Sequence, residues 1–151
     1  MPIIEPKYSY MKKAYFIFIA TLLLFGSCNK KDDSSSTISP TVVTNIVVSG
    51  SWKITYYWDT NHDETSAFNG YSFTFTGNVV TAVNGGSTVT GTWTTGTDDS
   101  QTKLILGFSS PASFLEISDD WHITEVSNTR IKLQDVSGGN GGTDYLTFEK
   151  N

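Results

Sequence analysis

From Val47 to the C-terminus, apolar and polar residues alternate with a period of two, and glycine-rich turns interrupt the alternation. This is the pattern of antiparallel strands with one buried face. Residues 51–58 place Trp52, Ile54, Tyr56 and Trp58 on one face, and residues 71–75 place Tyr71, Phe73 and Phe75 there. Residues 79–83 follow the Gly77-Asn78 turn, and Asn84-Gly85 is expected to reverse the chain, since both central positions of a type I′ turn need positive φ. In residues 87–95, Val89, Gly91 and Trp93 point inward, while Thr88, Thr90, Thr92 and Thr94 form an outer polar row.

Residues 103–108 contribute Leu104, Leu106 and Phe108, and the alternation resumes at 121–126, 130–134 and 143–150, the last with Leu146 and Phe148 inward. A flexible hairpin around Asn140-Gly141 joins the final pair. Between the fifth and sixth strands, Pro111 and the Phe114-Leu115-Glu116-Ile117 run predict one short helix with Pro111 at its first position. Eight antiparallel strands, each with one apolar face, bury those faces by closing into an up-and-down barrel or by folding into a sandwich. The barrel is the preferred architecture, over residues 47–151.

The N-terminal part follows a different rule. Lys12-Lys13 precede a twelve-residue apolar or small run, AYFIFIATLLLF, that ends at Phe25 and is followed by Gly26-Ser27-Cys28. Twelve residues of helix span about 18 Å, too short for a hydrocarbon core of roughly 30 Å, so residues 1–27 read as a cleavable signal peptide with translation starting at Met11. Because the residue after the small pair is the only cysteine, the segment resembles the lipobox of Gram-negative bacterial lipoproteins. That resemblance implies a diacylated Cys28, which would anchor the protein in the outer membrane of the cell envelope, facing the periplasm or exposed at the surface. Lys31-Asp32-Asp33 is similar to the short Lys-acidic-acidic export signal of some lipoproteins. Residues 28–46, rich in Ser and Thr, read as a disordered tether.

Composition agrees with the strand reading. Ser and Thr make up 39 of the 151 residues (18 plus 21), against only 17% charged residues, and Thr and aromatic residues suit a pleated, half-buried surface. One cysteine excludes an intramolecular disulfide framework and a multi-cysteine metal site. The formal charge is -5 for the whole chain. From Cys28 onward there are 7 basic and 14 acidic residues, a net charge of -7, which leaves no basic stripe for nucleic acid.

Chemistry is sparse. No G-x-S-x-G elbow, H-E-x-x-H, phosphate loop or cysteine nucleophile is present, so no catalytic residue, cofactor or metal is expected. Asp59-x-Asn61-x-Asp63 has calcium-loop oxygens at alternate positions, but Glu64 and Gly70 stand where that loop needs Gly and a bidentate Glu. Glu116, Asp119 and Asp120 beside Trp121 form the other carboxylate group, read as a solvated cap. His122 alternates with Trp121 and Ile123 and so belongs on the outer face.

Gly50-Ser51-Trp52 resembles the G-x-W motif that opens lipocalins, where the tryptophan plugs the closed end of an eight-stranded barrel. The wider string, from Trp52 through Thr90-Gly91-Thr92-Trp93 to Asp119-Asp120-Trp121 and Gly142-Thr143-Asp144-Tyr145, resembles a group of small bacterial lipoproteins with lipocalin-like domains. The resemblance implies a non-catalytic module that binds a small apolar or amphipathic ligand in its barrel. The rival reading is an interaction protein with a filled barrel whose rim loops bind protein or carbohydrate, because ten large inward aromatics compete for a narrow interior. Tyr57, Trp58, Asp59, His62 and Trp121 are the candidate binding residues.

Overall fold

The computed structural model describes residues 38–136 and 142–151. The strands are β1 (Ser51–Asp59), the two-residue β2 (His62–Asp63), β3 (Ser72–Thr76), β4 (Val79–Asn84), β5 (Ser87–Asp98), β6 (Gln101–Gly107), β7 (Asp120–Val126), β8 (Arg130–Val136) and β9 (Thr143–Lys150). Apart from β2, which is a short flap on β1, eight strands follow one another in chain order, all antiparallel, and β9 pairs back onto β1. The result is the closed up-and-down barrel that the alternation predicts.

Inward positions of four strands are as expected, with Phe73, Phe75, Trp93, Leu104, Leu106, Leu146 and Phe148 all buried, and Ile131 and Leu133 of β8 join them. Strand β1 departs from the pattern. Its register against β9 shifts between Ile54 and Tyr56, so Thr55 is a bulge residue. Beyond a bulge the alternation changes phase. Tyr57 is therefore the inward residue, 1% exposed, and Tyr56 lies outside at 39%; the inward placement of Tyr56 and Trp58 is corrected. The β4–β5 reversal is also displaced by one residue. Asn84 pairs with Ser87, which leaves Gly85-Gly86 as the central pair, and the Asn84 amide is used instead to donate to Asn69 O at 3.0 Å.

Both barrel ends are closed by short helical segments. At the end where β1 begins lies α1 (Pro40–Val47). The expected tether through residue 46 is thus corrected, since the folded part starts at least as early as Pro40. Ser39 caps the helix by accepting from Val42 N at 3.4 Å, proline occupies the first turn, and Val43 and Val47 are fully buried against the barrel. Trp52 is fully buried and donates from Nε1 to Val47 O at 2.8 Å, which ties β1 to the end of α1.

At the opposite end, a 3-10 turn (Thr65–Phe68) and α2 (Ala112–Glu116) deliver Phe68 and Phe114 into the barrel mouth. Strands β1 and β3 pair only at Ser51–Thr74 and Trp52–Phe73. Above those pairs Phe68 packs edge-on against Tyr57 at 5.7 Å and against Phe114 at 5.4 Å. The helix α2 is the one predicted, with Pro111 at its N-cap instead of its first helical position.

Candidate functional site

The interior of the barrel is occupied by aromatic side chains in contact with one another. Phe114 stacks on Phe73 at 5.9 Å; Phe148 meets Phe73 at 5.4 Å and Phe75 at 6.0 Å; Phe75 meets Trp93 at 5.4 Å; and Phe108 meets Phe114 at 5.0 Å. Most of these pairs are edge-to-face, the arrangement favoured by the ring quadrupole. A barrel of eight strands is just wide enough for its side chains to fill, and here they fill it from α1 to α2.

Two of the expected binding residues belong to this packing. Tyr57 and Trp121 are each 1% exposed, and their rings meet at 6.4 Å. The Tyr57 hydroxyl donates to Glu116 O at 3.1 Å, and Trp121 Nε1 donates to Ile117 O at 2.9 Å. Burial, with Asp59 and Glu116 adding to it, pushes the Tyr57 phenol far above its ordinary value, so it remains a protonated donor. As surface anchors Tyr57 and Trp121 are corrected: both tie α2 to the barrel wall.

Trp58, Asp59 and His62 surround the reversal after β1. Asp59 pairs with His62 across β1 and β2, and Trp58 donates from Nε1 to Thr60 O at 3.1 Å. Thr60 has a positive φ of 49°, a conformation that costs a β-branched residue free energy. Asp144 offsets it by accepting from Thr60 N at 2.6 Å and from Thr60 Oγ1 at 3.2 Å. The Thr143-Asp144-Tyr145 tripeptide thus locks β9 to the turn after β1. Asp63 accepts from Thr65 N at 3.0 Å, and hydrogen bonding from the Thr65 side chain and then its backbone lowers the Asp63 carboxyl pKa, so the calcium-like loop spends an oxygen on Thr65.

The carboxylates beside Trp121 separate in role. Lys103, 7% exposed, lies between Asp98 at 3.1 Å and Asp120 at 2.5 Å. Its hydrogen bond holds the Asp120 carboxyl below the ordinary range, while burial holds that of Asp119 above it. Among the described residues, Asp119, Asp120 and Asp135 bring carboxylate oxygens within 4.8 Å of one another. The Glu116 carbonyl, not its carboxylate, makes the contact with Tyr57. Cys28, Lys31, Asp32 and Asp33 lie outside the described residues, as does the Asn140-Gly141 hairpin; among the described residues no helix is long and apolar enough to cross a membrane.

The outer wall of β7, β8, β9 and β1 carries a feature that the period-two reading did not single out. Register places two rows of side chains side by side across the four strands. One runs Tyr56, Thr147, Lys132, Glu125; the other runs Trp58, Tyr145, Gln134, His122. Tyr56 and Tyr145 are 39% and 42% exposed, and they line a groove of about 370 Å³ with Thr124, Lys132, Gln134 and Thr147. A second bulge, between Ile123 and Glu125 in β7, sets Thr124 at the far wall, where its hydroxyl donates to Lys132 O at 3.2 Å. Lys132 Nζ is held by Glu125 at 3.1 Å, and Glu125 also binds Arg130 at 2.6 Å. The signal for this site was the consecutive Tyr56-Tyr57-Trp58, which cannot all face one way.

Two other clefts lie elsewhere on the surface. One, of about 450 Å³, lies on the wall of β4, β5 and β6 and is lined by Val79, Thr90, Thr92 and Gly107. The other, of about 120 Å³, lies beside α1 at Thr44, Asn78 and Trp93.

No protein-family model matches the chain, and neither does any curated protein. Among solved structures, the chain is similar to a DUF4847 family protein from Bacteroides vulgatus, at 16% sequence identity and a TM-score of 0.49, covering 72% of this chain and 97% of that one.

Proposed function

We propose that this protein is a lipid-anchored cell-envelope module that binds without catalysis, and that it does so on the outer wall of a filled barrel. The observation that carries the reading is the division of aromatic side chains. Phe114 and Phe148 occupy the interior on either side of Phe73 and in contact with it, while Tyr56 and Tyr145 stand exposed around a groove of ligand size on the outside. Ligand sites are concave, about 300–1,000 Å³ in volume, and combine apolar area with a few polar groups. The Tyr56–Tyr145 groove has that combination. The rim-loop form of the interaction reading gives way to a wall site, because the aromatics expected at the rim are buried or folded onto the turn.

The anchor reading rests on Lys12-Lys13, the apolar run and Cys28, and outer-membrane placement follows from it. Palmitate labelling of cells is expected to mark the wild type and not Cys28→Ser; equal labelling of both removes the anchor. For the binding face, sodium laurate and disaccharides are titrated into the isotopically labelled full chain and the shifted resonances mapped. Shifts at Tyr56, Gln134 and Tyr145 are expected. Shifts centred on Phe73, Phe114 and Phe148 would return the protein to the interior-carrier reading.

A further inference from the structure

We infer that the groove between Tyr56 and Tyr145 is a saccharide site, taking an uncharged mono- or disaccharide with a pyranose ring laid against the tyrosines. The inference rests on the reading of this groove as the binding face, and adds the class of ligand.

Four features of the groove select that class. The tyrosines belong to adjacent rows of neighbouring strands, with Thr147 facing Tyr56 and Gln134 facing Tyr145 across the sheet. Diagonal positions of this kind lie about 7–8 Å apart, within reach of two aromatic side chains that share one ligand. The negative face of an aromatic ring attracts C–H groups, and a pyranose offers such a face. Its hydroxyls project sideways, where the Gln134 amide, the Thr147 hydroxyl and the tyrosine hydroxyls make no hydrogen bond within the described protein.

Those same polar groups disfavour an acyl chain. A hydrocarbon would strip water from them and return nothing, and an unsatisfied polar group is expensive to bury. A formal charge is also disfavoured. Lys132 repels a cationic ligand, and its own charge is already answered by Glu125, which faces an anionic one. An extended peptide gains affinity mainly by pairing with a free strand edge, and the two strands at the centre of the groove, β8 and β9, are paired on both sides. A neutral, hydroxyl-rich ring with an apolar face meets all of these constraints.

The test uses the labelled full chain with cellobiose, maltose and N,N′-diacetylchitobiose as probes, each titrated to about 50 mM, the range in which a shallow groove is read. At least one sugar is expected to give saturable shifts at Tyr56, Gln134 and Tyr145. The double variant Tyr56→Ala/Tyr145→Ala, whose fold is checked in the same spectrum, should weaken that binding at least about tenfold. Gln134→Ala should weaken it by a smaller factor, and Val79→Ala, in the other wall cleft, should leave it unchanged. No saturable response to any of the three sugars, or a response that survives loss of both tyrosines, overturns the saccharide assignment. Laurate shifts at the groove without sugar shifts would also overturn it, while leaving the binding face in place.

Discussion

Tyr56 and Tyr57 are neighbours in the chain and differ in almost every physical respect. Tyr57 is 1% exposed, its ring packs against Phe68 and Trp121, and its hydroxyl is satisfied by Glu116 O at 3.1 Å. Tyr56 is 39% exposed and faces a groove. What separates them is the bulge at Thr55. One extra residue puts one tyrosine into the core and leaves its neighbour on the outer wall beside the groove.

The contrast can be broken first from the inside. Phe114→Ala removes the ring that plugs the barrel mouth and touches Phe68, Tyr71, Phe73 and Phe108. The expected loss is about 3–5 kcal/mol in denaturant unfolding, the usual cost of truncating a buried phenylalanine. Tyr57→Phe keeps the ring and deletes the hydrogen bond to α2, so it should cost about 0.5–1.5 kcal/mol. On the outside, Tyr56→Ala and Tyr145→Ala should each change unfolding free energy by no more than about 0.5 kcal/mol while weakening ligand binding. A large stability loss at Tyr56 would mean that the two faces are not divided as described.

Acid sharpens a second contrast, between Asp120 and Asp119. The Lys103 hydrogen bond lowers the folded pKa of Asp120 below its ordinary 3.8, so its contribution is present above that value and is lost as pH falls through the lowered one. Glu125, lowered by Arg130 and then by Lys132, follows the same sign. Burial raises Asp119, so protonating it favours the folded state as pH falls through its higher value. The melting temperature should therefore hold or rise slightly on approach to pH 4 and fall below it. Asp120→Asn should lower the melting temperature at pH 7 and flatten the acid limb. These side chains are partly exposed, so the effect is smaller than the loss at Tyr57.

Much of this architecture was legible in the sequence, and its failures are local. Strict alternation with one apolar phase, as in Phe73/Phe75 or Leu146/Phe148, left one face to turn inward; eight such strands allowed a barrel or a sandwich, and the β1–β9 pairing is what closes the barrel. In β1 the run Tyr56-Tyr57-Trp58 is aromatic in both phases, so nothing in it marks where the register slips. The helix α1 was hidden for another reason. Its Pro, Thr, Val and Asn content is poor helix material, and it is the burial of Val43 and Val47 on the barrel that stabilises it. The Ser39-Pro40 pair was the available cue. The groove needed register as well as pattern, since Gln134 and Tyr145 meet only through the β8–β9 pairing.

The division of the two tyrosines is tested most directly by nitrating the native full chain with tetranitromethane and locating the products by fragment mass spectrometry. The account predicts early nitration of Tyr56 and Tyr145, with Tyr57 protected until the protein is unfolded. Nitration of Tyr57 as fast as Tyr56, or protection of Tyr56, would contradict it.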